Sequence, residues 1–233
     1  MNKEELLRFL KLANSLDTFS NIDDIRSITI NAIFKQIENL YFSVILSKNL
    51  NDIEFLKKNI SEKIEENYIN DIIINYEGFI KDAFFMKFFM IVENHINQIA
   101  EFYENSNNKI KDFSSIQNTF ENLTTPKKCS LFTEISQKEK ELFKFYCYLR
   151  NTNHKLGFQS KSNKELIIKD ESSVINIYET KINLLKDCPN NLNTNSLLLI
   201  KEQILKLIIK INSKIPEQDY IEHILVHAGY NNH

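Results

Sequence analysis

Residues 78–103 read GFIKDAFFMKFFMIVENHINQIAEFY, and this stretch decides the fold. Phe79, Ile80, Phe84, Phe85, Phe88, Phe89, Val92, Ile96, Ile99 and Phe102 recur at helical spacing and wrap more than one face. A helix that is apolar over so much of its circumference belongs at the centre of a bundle, or at a bundle and a dimer interface together. Glu93 interrupts the apolar run, and His95 follows two residues later. As a buried acid, Glu93 would pair with a basic group on a neighbouring helix. As a half-exposed one, it is an ordinary surface ion-pair partner. His95 reads as a surface or interface residue.

The rest of the chain is arranged around this helix. Residues 3–15 predict a short amphipathic helix rather than a signal peptide. Asn21 predicts the cap of a long helix with Asp23 and Asp24 in its first turn, carrying the stripe Ile25, Ile28, Ile33, Ile37, Leu40, Tyr41 and Ile45. Asn51 or Asp52 opens a third helix, through about Ile74. Residues 104–135 are polar and irregular, with a short helix near 114–122, and a loop of that length is often a lid or a binding loop. Ser136 and Glu139 fit a capping box for a helix running through LFKFYCYLRN. ELIIKD (165–170) and SVINIYET (173–180) predict a small β-hairpin. A strongly apolar helix follows from Ser196 to Ile211, and Pro216 opens a last helix ending near His227.

With 233 residues, 42% apolar and 26% charged, the chain can bury a core. Only 3 Gly and 3 Pro argue against an all-β fold, whose turns need them. The expected class is therefore all-α: a helical bundle with long helices and one small hairpin. No repeat and no linker interrupts it, so residues 1–233 read as a single helical domain. A net charge of −2 excludes a general polyanion binder but leaves room for a local basic site. Lys far outnumbers Arg, so Arg8, Arg26 and Arg150 carry more information than most basic residues. Cys129, Cys147 and Cys188 lack metal-ligand spacing and read as reduced thiols of a cytoplasmic protein. No run of 18 apolar residues is present, so no membrane span is expected.

The chemistry concentrates in YLRNTNHKLG, residues 148–157. Arg150 and His154 stand four apart, one turn apart on one face if the helix continues. If the helix frays at Asn151, they flank its open C-terminal end instead. An imidazole can take the proton from a ribose 2′-hydroxyl or give one to the leaving 5′-oxygen. A guanidinium can hold the phosphate by two hydrogen bonds and stabilise its transition-state charge. Neighbouring cations repel, which favours a neutral imidazole able to act as base. Asn151 could orient His154 or bond the phosphate, with Asn153 and Lys155 beside it for substrate contacts. No metal or cofactor is required when the ribose supplies the nucleophile. The same two residues also suit simple capping of a helix C-terminus.

Arg150-Asn151-Thr152-Asn153-His154, followed by Gly157, resembles the hallmark of the HEPN superfamily, the higher-eukaryote and prokaryote nucleotide-binding domains. MKFFMIVENHINQIAEFY resembles the helix that packs on the motif helix in that family. The resemblance covers residues 78–215, with the N-terminal helices of 1–75 packed on that core. It implies a metal-independent endoribonuclease of a toxin or phage-defence system, with Arg150, His154 and Asn151 catalytic. Glu93 would support the site by pairing with Arg150 or His154. It also implies a homodimer whose two motifs face one cleft, RNA as substrate, and an antitoxin or other defence protein as partner. The family pattern places four to six residues between Arg and His, and here three stand between them. The alternative is therefore a non-catalytic module that binds RNA, nucleotide or protein. His223 and His227, four apart beside Glu222, have half of a zinc-site pattern but no third ligand.

Overall fold

The computed structural model describes residues 7–11, 22–105, 107–154, 158–159, 162–170, 178–189 and 192–223. The side chains of 153–154, 158–159, 169–170, 178–179 and 189 lie outside the described set. Helices dominate: α1 (Ile25–Leu46), α2 (Ile53–Asn59), α3 (Ile69–Tyr103), α4 (Ile116–Leu123), α5 (Gln137–His154) and α6 (Thr194–Asn212). Short strands sit between α5 and α6: β1 (Phe158–Gln159), β2 (Lys164–Asp170), β3 (Tyr178–Leu184) and β4 (Cys188–Pro189). The fold is thus a helical bundle with a small antiparallel hairpin. No helix among the described residues is long and apolar enough to cross a membrane.

The chain forms two compact units, residues 1–16 with 30–90, and residues 17–29 with 91–233. In the first, Ile33, Ile37 and Leu40 of α1 are buried, as are Phe84, Phe85, Phe88 and Phe89 of α3. Phe9 meets Phe88 at a ring separation of 6.2 Å. The expected third helix does not run to Ile74. Asp52 caps α2 by accepting from the Glu54 and Phe55 N–H groups. The helix then closes at Leu56, whose carbonyl accepts from both Ile60 and Ser61. After a 3₁₀ turn at Glu66–Tyr68, α3 begins at Ile69, nine residues before the expected start. Gly78 is therefore an interior residue of the helix rather than its border. Phe79 is 72% exposed, so the apolar wrap is not closed on all sides.

In the second unit, residues from α3, α4, α5 and α6 share a core. Phe120 stacks on Phe143 at 4.0 Å. Ile200, Ile204, Leu205, Ile208 and Ile211 are fully buried along α6, which Asn193 caps through the Ser196 N–H. Residues 104–136 are packed rather than loose. Glu104 accepts from the N–H groups of Ile110 and Lys111, and Phe132 and Ile135 are buried. The hairpin pairs Lys164 with Leu184 through Asp170 with Tyr178. Its second strand thus lies later than the expected 173–180, and residues 171–177 fall outside the described set. Leu166, Ile168, Ile182 and Leu184 form its buried face.

The last expected helix is absent over 216–223. This segment instead runs back along the start of α1: Ile25 N–H donates to Ile221 O at 2.8 Å, and His223 N–H to Asp23 O at 3.3 Å. The first turn of a helix has donors with no partner of its own, and here a distant backbone carbonyl, that of Ile221, takes one of them. Asp24 consequently precedes the helix instead of lying in its first turn. Its carboxylate accepts from the Arg26 N–H at 2.8 Å, in the manner of an N-cap.

A Cβ at Gly78 would meet nothing within 4 Å. Gly78→Ala should therefore stabilise the protein by about 1 kcal/mol, the usual Gly-to-Ala difference in a helix interior. Thermal unfolding of the two proteins measures it, and an unchanged or lower midpoint would refute it.

Candidate functional site

α5 carries the motif, and its start is secured as the sequence predicts. The Ser136 N–H donates to Glu139 Oε2 at 2.6 Å, and the Glu139 N–H donates to Ser136 Oγ at 3.3 Å. Lys210 of α6 adds a donor to Glu139 at 2.9 Å. From this cap the helix continues unbroken to His154. The frayed alternative therefore does not hold, and the backbone sets Arg150 and His154 one turn apart on one face.

Around that face, Arg150 is half-buried and its Nη1 donates to the exposed Asn151 Oδ1 at 3.4 Å. Thr152 is buried, its hydroxyl turned back onto Leu149 O at 2.7 Å. Tyr146, one turn before Arg150, is buried, as is Cys147. Burial pushes the Tyr146 phenol and the Cys147 thiol well up, and the nearby Glu93 carboxylate adds to both. Arg150 acts on Cys147 in the opposite sense. Burial, helped by the half-buried Glu93 and opposed by Arg150, keeps this sulfur a protonated, unreactive thiol. Lys201 of α6 is fully buried beside this face, with Nζ 5.6 Å from the Tyr146 ring centre. Its burial pushes the ammonium group well down. Lys201 had no signal of its own in the sequence, because one lysine in an apolar helix looks like its solvated edge. The side chains of Asn153, His154 and Lys155 lie outside the described residues.

A second polar cluster is more deeply buried. Arg26 grips Asp24 with two prongs, Nε to Oδ1 and Nη2 to Oδ2, each 2.8 Å. Its other N–H groups reach Ile215 O and Pro216 O at 3.4 Å and Asp219 O at 2.9 Å. All five guanidinium donors are thus engaged within the fold, which makes Arg26 a structural clasp. Tyr103 donates to Asp219 Oδ2 at 2.6 Å.

His95 is fully buried, contrary to the surface or interface position expected for it. Its Nδ1 lies 3.0 Å from Thr29 Oγ1, so α1 supplies a hydroxyl that solvent would otherwise provide. Burial pushes it down to about 4, against the opposing pull of the Asn212 side chain and Asp24. His223 likewise departs from its expected helical site. It is buried with Nε2 3.1 Å from Asn94 Nδ2, and desolvation lowers its pKa. His227 lies outside the described residues. Among those described, no three His, Cys, Asp or Glu side chains cluster as a metal site would. No family model, no curated protein and no solved structure matches this chain.

Two outcomes follow from the buried cluster. Arg26→Met strands the Asp24 carboxylate without its counter-charge and should cost about 3–5 kcal/mol in urea unfolding; a loss below 1 kcal/mol would contradict the clasp. His95 has a folded value of about 4 against 6.5 when unfolded. Its contribution is complete above 6.5, falls as the unfolded chain takes up the proton, and is gone below about 4, a change of roughly 3 kcal/mol. Unfolding free energies measured across that window should decline in the wild type and flatten in His95→Gln, apart from the smaller share of His223.

Proposed function

We propose that this protein is a HEPN-like, metal-independent endoribonuclease. The supporting observation is the unbroken helix from the Ser136 cap to His154, which sets Arg150 and His154 one turn apart. In this reading Arg150 binds the non-bridging oxygens of the scissile phosphate and offsets the charge gained in the transition state. A neutral His154 takes the 2′-hydroxyl proton, the 2′-oxygen attacks phosphorus, and the bond to the 5′-oxygen breaks. The products are a 2′,3′-cyclic phosphate and a 5′-hydroxyl.

One imidazole cannot be base and acid at the same instant. Two chains facing each other would supply both, which is why the reading includes a homodimer. Asn151 orients the imidazole or the phosphate, Asn153 and Lys155 contact the RNA, and Glu93 balances the charge of Arg150. The setting is cytoplasmic, in a toxin or phage-defence system. A nuclease free in its own cell needs restraint, so a neutralising antitoxin or another defence protein belongs to the reading.

The three residues between Arg150 and His154, fewer than the family pattern, favour a second reading in which the protein binds RNA, nucleotide or a protein without turnover.

Cleavage of a mixed RNA pool in EDTA tests the first reading. Wild type should cut, and His154→Ala and Arg150→Ala should each lose about a hundredfold or more. Equal cutting by wild type and variants would reject the site. Binding without cutting by wild type would transfer the conclusion to the second reading.

A further inference from the structure

A groove of about 980 Å³ lies in the second unit between α5, β2 and α6. It is on the far side of α5 from the motif, because its wall residue Tyr148 and Arg150 are two apart and do not share a helix face. Five consecutive residues of β2, from Lys164 to Ile168, border it. Side chains of a strand alternate between faces, so a strand lying flat on a cavity would show it only every second residue. All five border the groove because β2 turns its backbone edge toward it.

That edge is open. β2 pairs with β3 on one side in a two-stranded sheet. Among the described residues no other strand pairs with it. In an antiparallel pair, alternate residues point N–H and C=O away from the partner strand. An open edge of this kind is a template for another strand, and proteins normally blunt or cover it.

The walls restrict what could cover it. Leu142 and Phe145 of α5 are buried, so the accessible apolar surface is that of Ile167, 54% exposed, and of half-buried Tyr148. Two bordering carboxylates are ion-paired, Glu139 with Lys210 at 2.9 Å and Glu165 with Lys181 at 2.7 Å, while Glu141 accepts only from the neutral Gln137 amide at 3.3 Å and keeps its charge. Lys138, Lys144 and Lys164 form no ion pair among the described residues, and Lys164 is drawn over the Tyr148 ring at 4.6 Å. The groove thus combines an unfilled strand edge, exposed apolar surface at Ile167 and a net positive charge. A nucleic acid would use the lysines and leave the edge unfilled, whereas a peptide strand uses all three.

We propose that this groove docks an extended acidic peptide from a partner protein, which adds to the free edge of β2 as a third strand. Alternate apolar side chains lie on the outer face beside the exposed Ile167, on the side opposite Leu166 and Ile168. Carboxylates between them meet Lys138, Lys144 and Lys164. Backbone pairing supplies affinity, and the lysines select charge and register.

Fluorescence anisotropy with the full chain tests this, using a short labelled peptide of alternating Glu and Val. It should bind at least about tenfold more tightly than its Lys/Val counterpart, and weaken as salt rises. N-methylation of alternate backbone nitrogens should abolish binding, a test that requires no change to the protein. Lys144→Glu with Lys164→Glu should reverse the preference between the two peptides. Equal affinity for both peptides, or binding indifferent to N-methylation, would overturn the proposal. Displacement of the peptide by oligouridine that depends on Lys144 and Lys164 would overturn it in favour of nucleic acid. None of these outcomes depends on Arg150 or His154.

Discussion

The two-pronged pair between Asp24 and Arg26 organises the unit that contains the motif. It joins the start of α1 to a segment 193 residues further along the chain, through the Asp219 carbonyl. Two charges this deeply buried cost desolvation energy, so the arrangement persists only because every donor on the guanidinium has an acceptor. What it secures is position. With Asp219 held, Tyr103 has its hydrogen-bond partner, and with Ile221 held, the first donor of α1 has its acceptor. His223 then faces Asn94, one residue before the buried His95 on α3. The segment that would have been a free helix is thereby turned into a strap.

This strap fixes α3 from one side, and α3 bears on α5 from the other. Glu93 acts on Tyr146 and Cys147, and Arg150 acts on the same thiol. α5 is accordingly a two-sided element. One side carries Phe143, Tyr146 and Arg150, together with the core and the proposed chemistry. The other carries Leu142, Phe145 and Tyr148 toward the groove and the hairpin. A single helix can serve both because residues two apart point in different directions while residues four apart share a face.

Much of this framework was legible before any coordinates. The capping box at Ser136 and Glu139, the apolar run of α6 and the β-branched ELIIKD all act through neighbours a few residues away, and each produced the expected element. Gly78 was misleading as a boundary because a glycine weakens a helix without ending one, and the residues before it are apolar enough to extend α3 back to Ile69. Pro216 was misleading because a proline suits a first helical turn but equally suits a turn, and here the distant backbone of Asp23 and Ile25 decided the matter. For the motif, the sequence left an intact and a frayed helix open, and the observed length of α5 chose the intact one.

The sequence by itself determined the helical class and the cap of α5, because these depend on periodicity and on contacts within a turn, whereas the observed length of α5 fixed the one-turn spacing of Arg150 and His154. Only the tertiary structure decided which polar residues go inside. His95, Arg26 and Lys201 look like surface residues in one dimension. They are buried because Thr29, Asp219 and Tyr146 come to them from remote parts of the chain, and no local pattern encodes such a partner.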